Sequence, residues 1–463
     1  MARSALSGVL CVLLGLPLGG CDIEEFFGVS KRKDPPTVML GDLDGGGDGD
    51  LGTGDGGDGD GDDDAGTADG GLRFDDDVAP DCNATVTDED WSDVVEFGDE
   101  TSFSLTRGVV GFGLAYRPAV VGCDRIHAAE VPGTGAFPIP PAVLGEDSCN
   151  VIRDLSLVYS ADAWWMAYTD NSTGDIELHA QAYDDNLLLP RGNRVRVSDN
   201  AGLTEDNPIM ADLVDRPMVA WITSDGVDQQ GISTRMVDGD HDEQTIVEMG
   251  SEHRPTKIAA AQMGMGAGAI AWINEQGSAV GVWIQKIDAD AAPVGSPVRL
   301  SRYAGAGATV DLSTRDRGGE ERLGGAVIYS VSAGGSGHEV LYRRLGPDGE
   351  PLGVERAVVG LPLRGSDASV AELSGAYVIA YRALPGGGVE SPEIRVVVVS
   401  REGDLPRDEF GRPISATLAS ATLAQARTTL RVSVDGQMLV SWMDVGAEGD
   451  TVLKMSRKRL DCR

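Results

Sequence analysis

From Asp81 to the end of the chain, short apolar runs alternate with polar turns, and no stretch holds the spacing of a long amphipathic helix. One element recurs: a short apolar run around an aromatic residue. It occurs as Leu114-Ala115-Tyr116, Met166-Ala167-Tyr168, Val219-Ala220-Trp221 and Ile270-Ala271-Trp272, then as Val327-Ile328-Tyr329, Ile379-Ala380-Tyr381 and Val440-Ser441-Trp442. The aromatics are separated by 52, 53, 51, 57, 52 and 61 residues, a spacing too even for chance. Each copy sits in a similar unit. A first strand (Leu155–Tyr159, Pro208–Leu213 or Lys257–Ala261) precedes a tight turn such as Ser433-Val434-Asp435-Gly436-Gln437, and the aromatic strand follows. A third strand comes next (Ile232–Val237, Val282–Ile287 or Val340–Leu345). A Gly/Asp turn such as Pro347-Asp348-Gly349 leads to a fourth, as in Val294–Leu300 or Arg356–Val359. Four antiparallel strands in about 50 residues make one propeller blade, which must stack on its neighbours to cover both faces. The expected fold is all-β, a seven-bladed β-propeller of four-stranded antiparallel blades, spanning residues 82–463.

The last unit has strands at Thr429–Val434, Met438–Met443 and Val452–Leu460 and then ends, one strand short. The segment Ala84–Phe97, ahead of the first unit, is expected to supply the missing outer strand and close the ring. The seven aromatics are expected as wedges between blades, because Ala and Val flank them. An aromatic binding ring is the alternative.

The first 20 residues change the compartment. Arg3 precedes the apolar run Leu6–Leu18, which is shorter than the roughly 20 residues of a membrane span and reads as a cleavable leader. Leu18-Gly19-Gly20-Cys21 resembles the lipobox of bacterial lipoproteins. That resemblance implies diacylglycerol transfer to Cys21, cleavage before it, and acylation of the new amino terminus. Several acyl chains on one residue make release from the membrane negligible. Asp22 resembles an inner-membrane retention signal of enteric lipoproteins. That rule transfers poorly between bacteria, and the outer membrane or cell surface is the expected location. With Cys11 in the leader and Cys21 lipidated, Cys82, Cys123, Cys149 and Cys462 remain, an even set with three possible pairings. Ring closure favours Cys82–Cys462 with Cys123–Cys149, and the longer bridge would contribute upwards of about 4 kcal/mol.

Residues 21–81 form the tether. Between Asp22 and Asp81, nineteen acidic residues stand against four basic ones, and Gly41–Gly71 is almost wholly Gly and Asp. Such a segment buries too little apolar surface to order itself, so a disordered, self-repelling linker is expected. Of the total charge of −36, the propeller region carries −22, which argues against nucleic-acid partners and anionic lipid surfaces. No cofactor is expected. Asp58–Asp62 alternates carboxylates but lacks the Gly and Glu of a calcium loop, the places being Asp63 and Asp69. Asp238-Gly239-Asp240-His241-Asp242 resembles the start of the calcium loop of integrin-type propellers, departing from it at Glu243 and Ile246. It reads as a solvated turn, although Asp238, Asp240 and Asp242 are where a calcium ion would bind.

With its lipobox, Gly/Asp tether and degenerate blades, the chain resembles the propeller-bearing surface lipoproteins of Gram-negative bacteria. It has no Trp-Asp repeat ending, kelch Gly-Gly pair or sialidase-type Asp box. No catalytic residues are identified. The five histidines lack metal-ligand spacing, and Gly334-Gly335-Ser336-Gly337-His338 lacks the last glycine of a nucleophile elbow. The loops joining second to third strands are expected to share one face carrying Asp170, Asn171, Asp225, Asp228, Asn274, Glu275, His338, Glu339, Asp444 and Glu448. That acidic face fits a protein or glycan partner, bound by a monomeric, membrane-anchored module. A polysaccharide hydrolase or lyase with channel carboxylates is the alternative. Fold alone does not choose between them.

Overall fold

The computed structural model describes residues 95–459, apart from loop segments of which the longest are 119–125, 134–141, 145–153 and 385–391. The chain divides into two units, Met1–Leu72 and Arg73–Arg463, and every described residue lies in the second. The leader, Cys21, the tether and all four remaining cysteines lie outside the described residues.

The described regular structure is entirely β, in seven antiparallel blades. Five blades are separate four-stranded sheets, with first strands Leu155–Ser160, Thr204–Asp212, Pro255–Gly264, Thr309–Asp316 and Arg364–Leu373 (blades 2 to 6). Blades 1 and 7 share one long strand, Val95–Arg107. Its first part pairs with Thr451–Arg459 of blade 7, in register Val95↔Met455 to Asp99↔Val452. From Glu100 onward it pairs with Gly111–Pro118 of blade 1, through Arg107↔Phe112. The segment ahead of the first repeat therefore supplies the missing outer strand and then becomes an innermost one. Residues 84–94 of the expected strand lie outside the described residues.

Burial peaks on the second strands and falls towards the outer ones. The second strands Pro217–Ser224, Ala267–Asn274 and Gln437–Val445 are buried almost throughout. Neighbouring blades cover both their faces, which is why they read as continuous apolar runs rather than as an alternation. The outer strands Pro190–Arg196 and Pro351–Ala357 are largely exposed.

All seven repeat aromatics lie on second strands, and each belongs to a different inter-blade core. Tyr116 packs with Leu439, Met443 and Leu453 of blade 7. Tyr168 packs on blade 1, Trp221 on blade 2, Trp272 on blade 3, Tyr329 on blade 4, Tyr381 on blade 5 and Trp442 on blade 6. They are wedges and form no binding ring. Trp221, Tyr329 and Trp442 are fully buried.

The outer strand of blade 5 corrects the sequence reading: it runs Pro351–Ala357, where Arg356–Val359 is expected. Gly353 (φ +64°) sits inside it, as Gly192 (φ +69°) and Gly295 (φ +72°) sit inside the outer strands of blades 2 and 4. The pairing register shifts beside each glycine, so these are bulges within strands, not strand ends. In blades 2 and 4 a third-strand glutamine satisfies the bulge: Gln181 Nε2 donates to Arg191 O at 3.0 Å and Gln285 Nε2 to Val294 O at 2.9 Å.

Candidate ligand-binding channel

The first strands surround a central channel, whose walls are pinned by contacts between blades. In four blades an oxygen side chain at one place on the first strand accepts a backbone N–H of the next blade. Ser104 Oγ takes Leu157 N–H at 3.0 Å, Ser156 Oγ takes Met210 N–H at 2.9 Å, Asp311 Oδ2 takes Val370 N–H at 3.1 Å, and Ser369 Oγ takes Leu430 N–H at 3.0 Å. Asp311 also accepts from the Ser369 hydroxyl and lies 3.4 Å from the Arg431 guanidinium, so one carboxylate of blade 5 ties together blades 6 and 7.

At the end where first strands turn into second strands, the channel opens into a cavity of about 440 Å³. That size is in the range of small-ligand pockets. Its rim follows from the repeat. Four residues before each aromatic stands Phe112, Trp164, Pro217, Gly268, Gly325, Tyr377 or Met438. Their cross-strand partners are Arg107, Tyr159, Asp212, Gln262, Thr314, Glu372 and Val432. All seven line the cavity, one from each blade. Pairing geometry thus fixes where they stand, while their chemistry differs from blade to blade. Below them the lining mixes Thr106, Ser313 and Arg431 with Met210, Ala211, Ala260 and Ala261, and the turn residues Asp162 and Asp215 also contribute.

The rim residues are held from behind. Asp212 accepts from Ser160 Oγ at 2.8 Å, and Thr314 Oγ1 donates to the Gln262 carbonyl at 2.6 Å. Gln262 is 5% exposed, and its Nε2 donates to Gly264 O at 3.0 Å. Its Oε1 is buried with no hydrogen-bond partner. A buried acceptor left unpaired costs about 1–3 kcal/mol.

At the opposite end, Lys257 of blade 4 feels charges from blades 2, 6 and 7 across the channel. Burial pulls its ammonium below the usual lysine range and Arg427 adds to this, while Asp154, Asp367 and Glu275 oppose it.

The ten residues expected on the face of second-to-third loops divide. Asp170 is buried with Arg194 Nη1 at 2.9 Å, and Asp444 is buried with Lys454 Nζ at 3.1 Å. Asn274 is fully buried; its Oδ1 accepts from the Arg254 N–H and its Nδ2 donates to Glu252 O at 3.3 Å, which pins the incoming loop. Asp225 is exposed and caps its own turn, accepting from Val227 N at 2.9 Å and Gln229 N at 3.0 Å. Asn171 and Glu275 are half-buried, Glu339 is exposed, and His338 begins a third strand. Asp228 and Glu448 lie outside the described residues.

At the calcium-like turn, Asp238 pairs with Arg216 Nε at 2.9 Å and lies 3.1 Å from His241 Nε2. Arg216 continues to Asp290 of blade 4 at 3.1 Å. Asp242 is exposed and Asp240 lies outside the described residues. Among the described residues no group of three or more His, Cys, Asp or Glu could hold a metal ion.

The boundary between blades 2 and 3 buries two further titratable groups. His179 is 5% exposed and lies 3.4 Å from Glu177 Oε2; burial and the Arg194 charge lower its pKa. Glu205 is 2% exposed and accepts the Leu178 N–H at 2.9 Å, and burial raises its carboxyl.

No protein-family model matches the chain, and no curated protein matches it. Among solved structures it is similar to an α-L-arabinanase of Penicillium chrysogenum in complex with arabinobiose (10% identity, TM-score 0.46, 81% of this chain and 99% of that one). It is similar to a polysaccharide lyase (8%, 0.47, 80% and 100%) and to the WD40 domain of SCAP from fission yeast (8%, 0.39, 82% and 98%).

Proposed function

We propose that this protein is a lipid-anchored, extracytoplasmic binding module that takes a protein or glycan group into the channel pocket. The observation that carries the reading is the rim of seven unlike side chains, one per blade, around one cavity. A ring in which position is fixed and chemistry is not suits recognition, because each blade contributes an independent contact to a rigid frame. Anchoring through Cys21 rests on the lipobox and would hold the module at a bacterial surface on its acidic tether. A polysaccharide hydrolase or lyase is the second reading, favoured by the carboxylates Asp162, Asp212, Asp215 and Glu372 in the same lining.

Both readings meet one experiment. Purified full-length protein is titrated calorimetrically with neutral and amino-bearing glycans and with peptides, and the same mixtures are assayed for chain cleavage. Saturable binding without cleavage, weakened by Glu372→Gln, supports the module; release of shortened chains would replace it with the enzyme. For the anchor, wild type should incorporate a labelled fatty acid and Cys21→Ser should not. Equal labelling of both would remove the lipoprotein reading.

A further inference from the structure

We infer that the channel pocket takes a neutral sugar ring and that Tyr159 is the residue that recognises it. This rests on the binding-module reading and narrows its ligand to a glycan. Among the described residues Tyr159 is the one aromatic side chain in the cavity lining. It is half-buried, and Trp164 meets it nearly at right angles, with ring centroids 5.0 Å apart and planes at 78°. Trp164 is fixed in turn: its Nε1 donates to Asp185 O at 3.0 Å, and its ring fills the space where a side chain at Gly108 or Gly113 of blade 1 would stand. The next residue, Ser160, is tied to Asp212 of blade 3 at 2.8 Å. Tyr159 is therefore held at one place in the rim.

Its hydroxyl differs from those of the wedge tyrosines. Tyr168 is bonded to Arg194, Tyr329 to Glu355 and Tyr381 to Ser415. The Tyr159 hydroxyl has no hydrogen-bond partner among the described residues. Burial, Asp185 and Asp162 raise its pKa against a smaller opposing effect of Arg191, so the phenol keeps its proton and can both donate and accept. The lining around it carries both signs of charge, with Arg107 and Arg431 beside Asp162, Asp212, Asp215 and Glu372. An ion of either sign would meet like charge there. A sugar is neutral and each of its hydroxyls donates and accepts. Its ring also presents C–H groups to an aromatic side chain, whose body is apolar and whose tip is polar.

The test titrates purified full-length protein calorimetrically with the neutral pentasaccharides of glucose, galactose, mannose, xylose and arabinose. A pentasaccharide of galacturonic acid and a neutral pentapeptide complete the set. At least one neutral pentasaccharide should bind. Tyr159→Ala should weaken it about tenfold or more, and Tyr159→Phe, which keeps the ring and removes one hydrogen bond, about fivefold. The melting temperature of each variant shows that it is folded. Failure of every neutral pentasaccharide, or equal binding by wild type and both variants, overturns the inference. If the galacturonic acid chain or the peptide binds instead and Glu372→Gln weakens it, the binding module survives and the sugar site does not. If a neutral pentasaccharide is shortened, the module reading falls. A KM then raised about tenfold by Tyr159→Ala with kcat unchanged would leave Tyr159 as the sugar contact, and an unchanged KM would remove it.

Discussion

The two ends of the channel are built from the same strands and use their polar residues in opposite ways. At the end of the second-to-third loops, carboxylates and amides point back into the blades: Asp170 meets Arg194, Asp444 meets Lys454, and Asn274 clamps the Arg254 backbone. At the other end, one residue from each blade borders a cavity, and one of them carries a buried acceptor without a partner. Polar groups that satisfy one another stiffen a fold. Side chains that border a cavity on a rigid frame are what recognition needs. The first end belongs to the ring's mechanics and the second to its ligand.

That division is broken most severely at the wedges. Trp442→Ala empties the fully buried core between blades 6 and 7 and should cost about 4 kcal/mol, read by urea denaturation. An unchanged denaturation midpoint would mean the seven aromatics are not the inter-blade frame. Asp444→Ala comes next, at about 3 kcal/mol, because it strands the Lys454 ammonium in a partly buried site. A cost near zero would move Asp444 to the functional side of the comparison.

A smaller effect depends on pH. The folded-state pKa of His179 lies below its ordinary value of 6.5. Unfolded chains therefore bind the proton more readily, and His179 should leave stability intact above about pH 6.5 and erode it as pH falls further, by at most about 1.4 kcal/mol per unit. Glu205 runs the other way: its raised pKa favours the fold at low pH and the benefit fades as pH rises through that value. Melting temperature followed from pH 8 to 5 should fall less in His179→Gln than in wild type. Parallel curves would show that the histidine is accommodated when charged. The smallest effect sharpens the comparison best. Gln262→Leu removes an unpaired acceptor along with one hydrogen bond, so stability should change by less than about 1 kcal/mol.

How much of this the sequence discloses depends on what a repeat can encode. The aromatic positions follow from spacing, because a wedge tolerates only large apolar groups, and the shared strand follows from the last unit being one strand short. The bulged outer strands are harder to read: Gly353 looks like punctuation, yet a positive φ there bends a strand without ending it. The rim is encoded too, four residues before each aromatic and across one strand pair, but only once the pairing register is known. Composition cannot separate Asp444, buried on a lysine, from Glu372, which borders the cavity, because burial and partner choice are set by the neighbouring strand.

The most direct measurement follows Glu372→Gln and Asp444→Asn side by side, recording melting temperature and affinity for the glycan or peptide that binds in the calorimetric titration. Glu372→Gln should lose binding about tenfold or more, whereas Asp444→Asn should melt earlier and bind as wild type while folded. The reverse outcome, with Asp444 governing affinity and Glu372 leaving it unchanged, would place the binding surface at the other end of the channel and contradict this account.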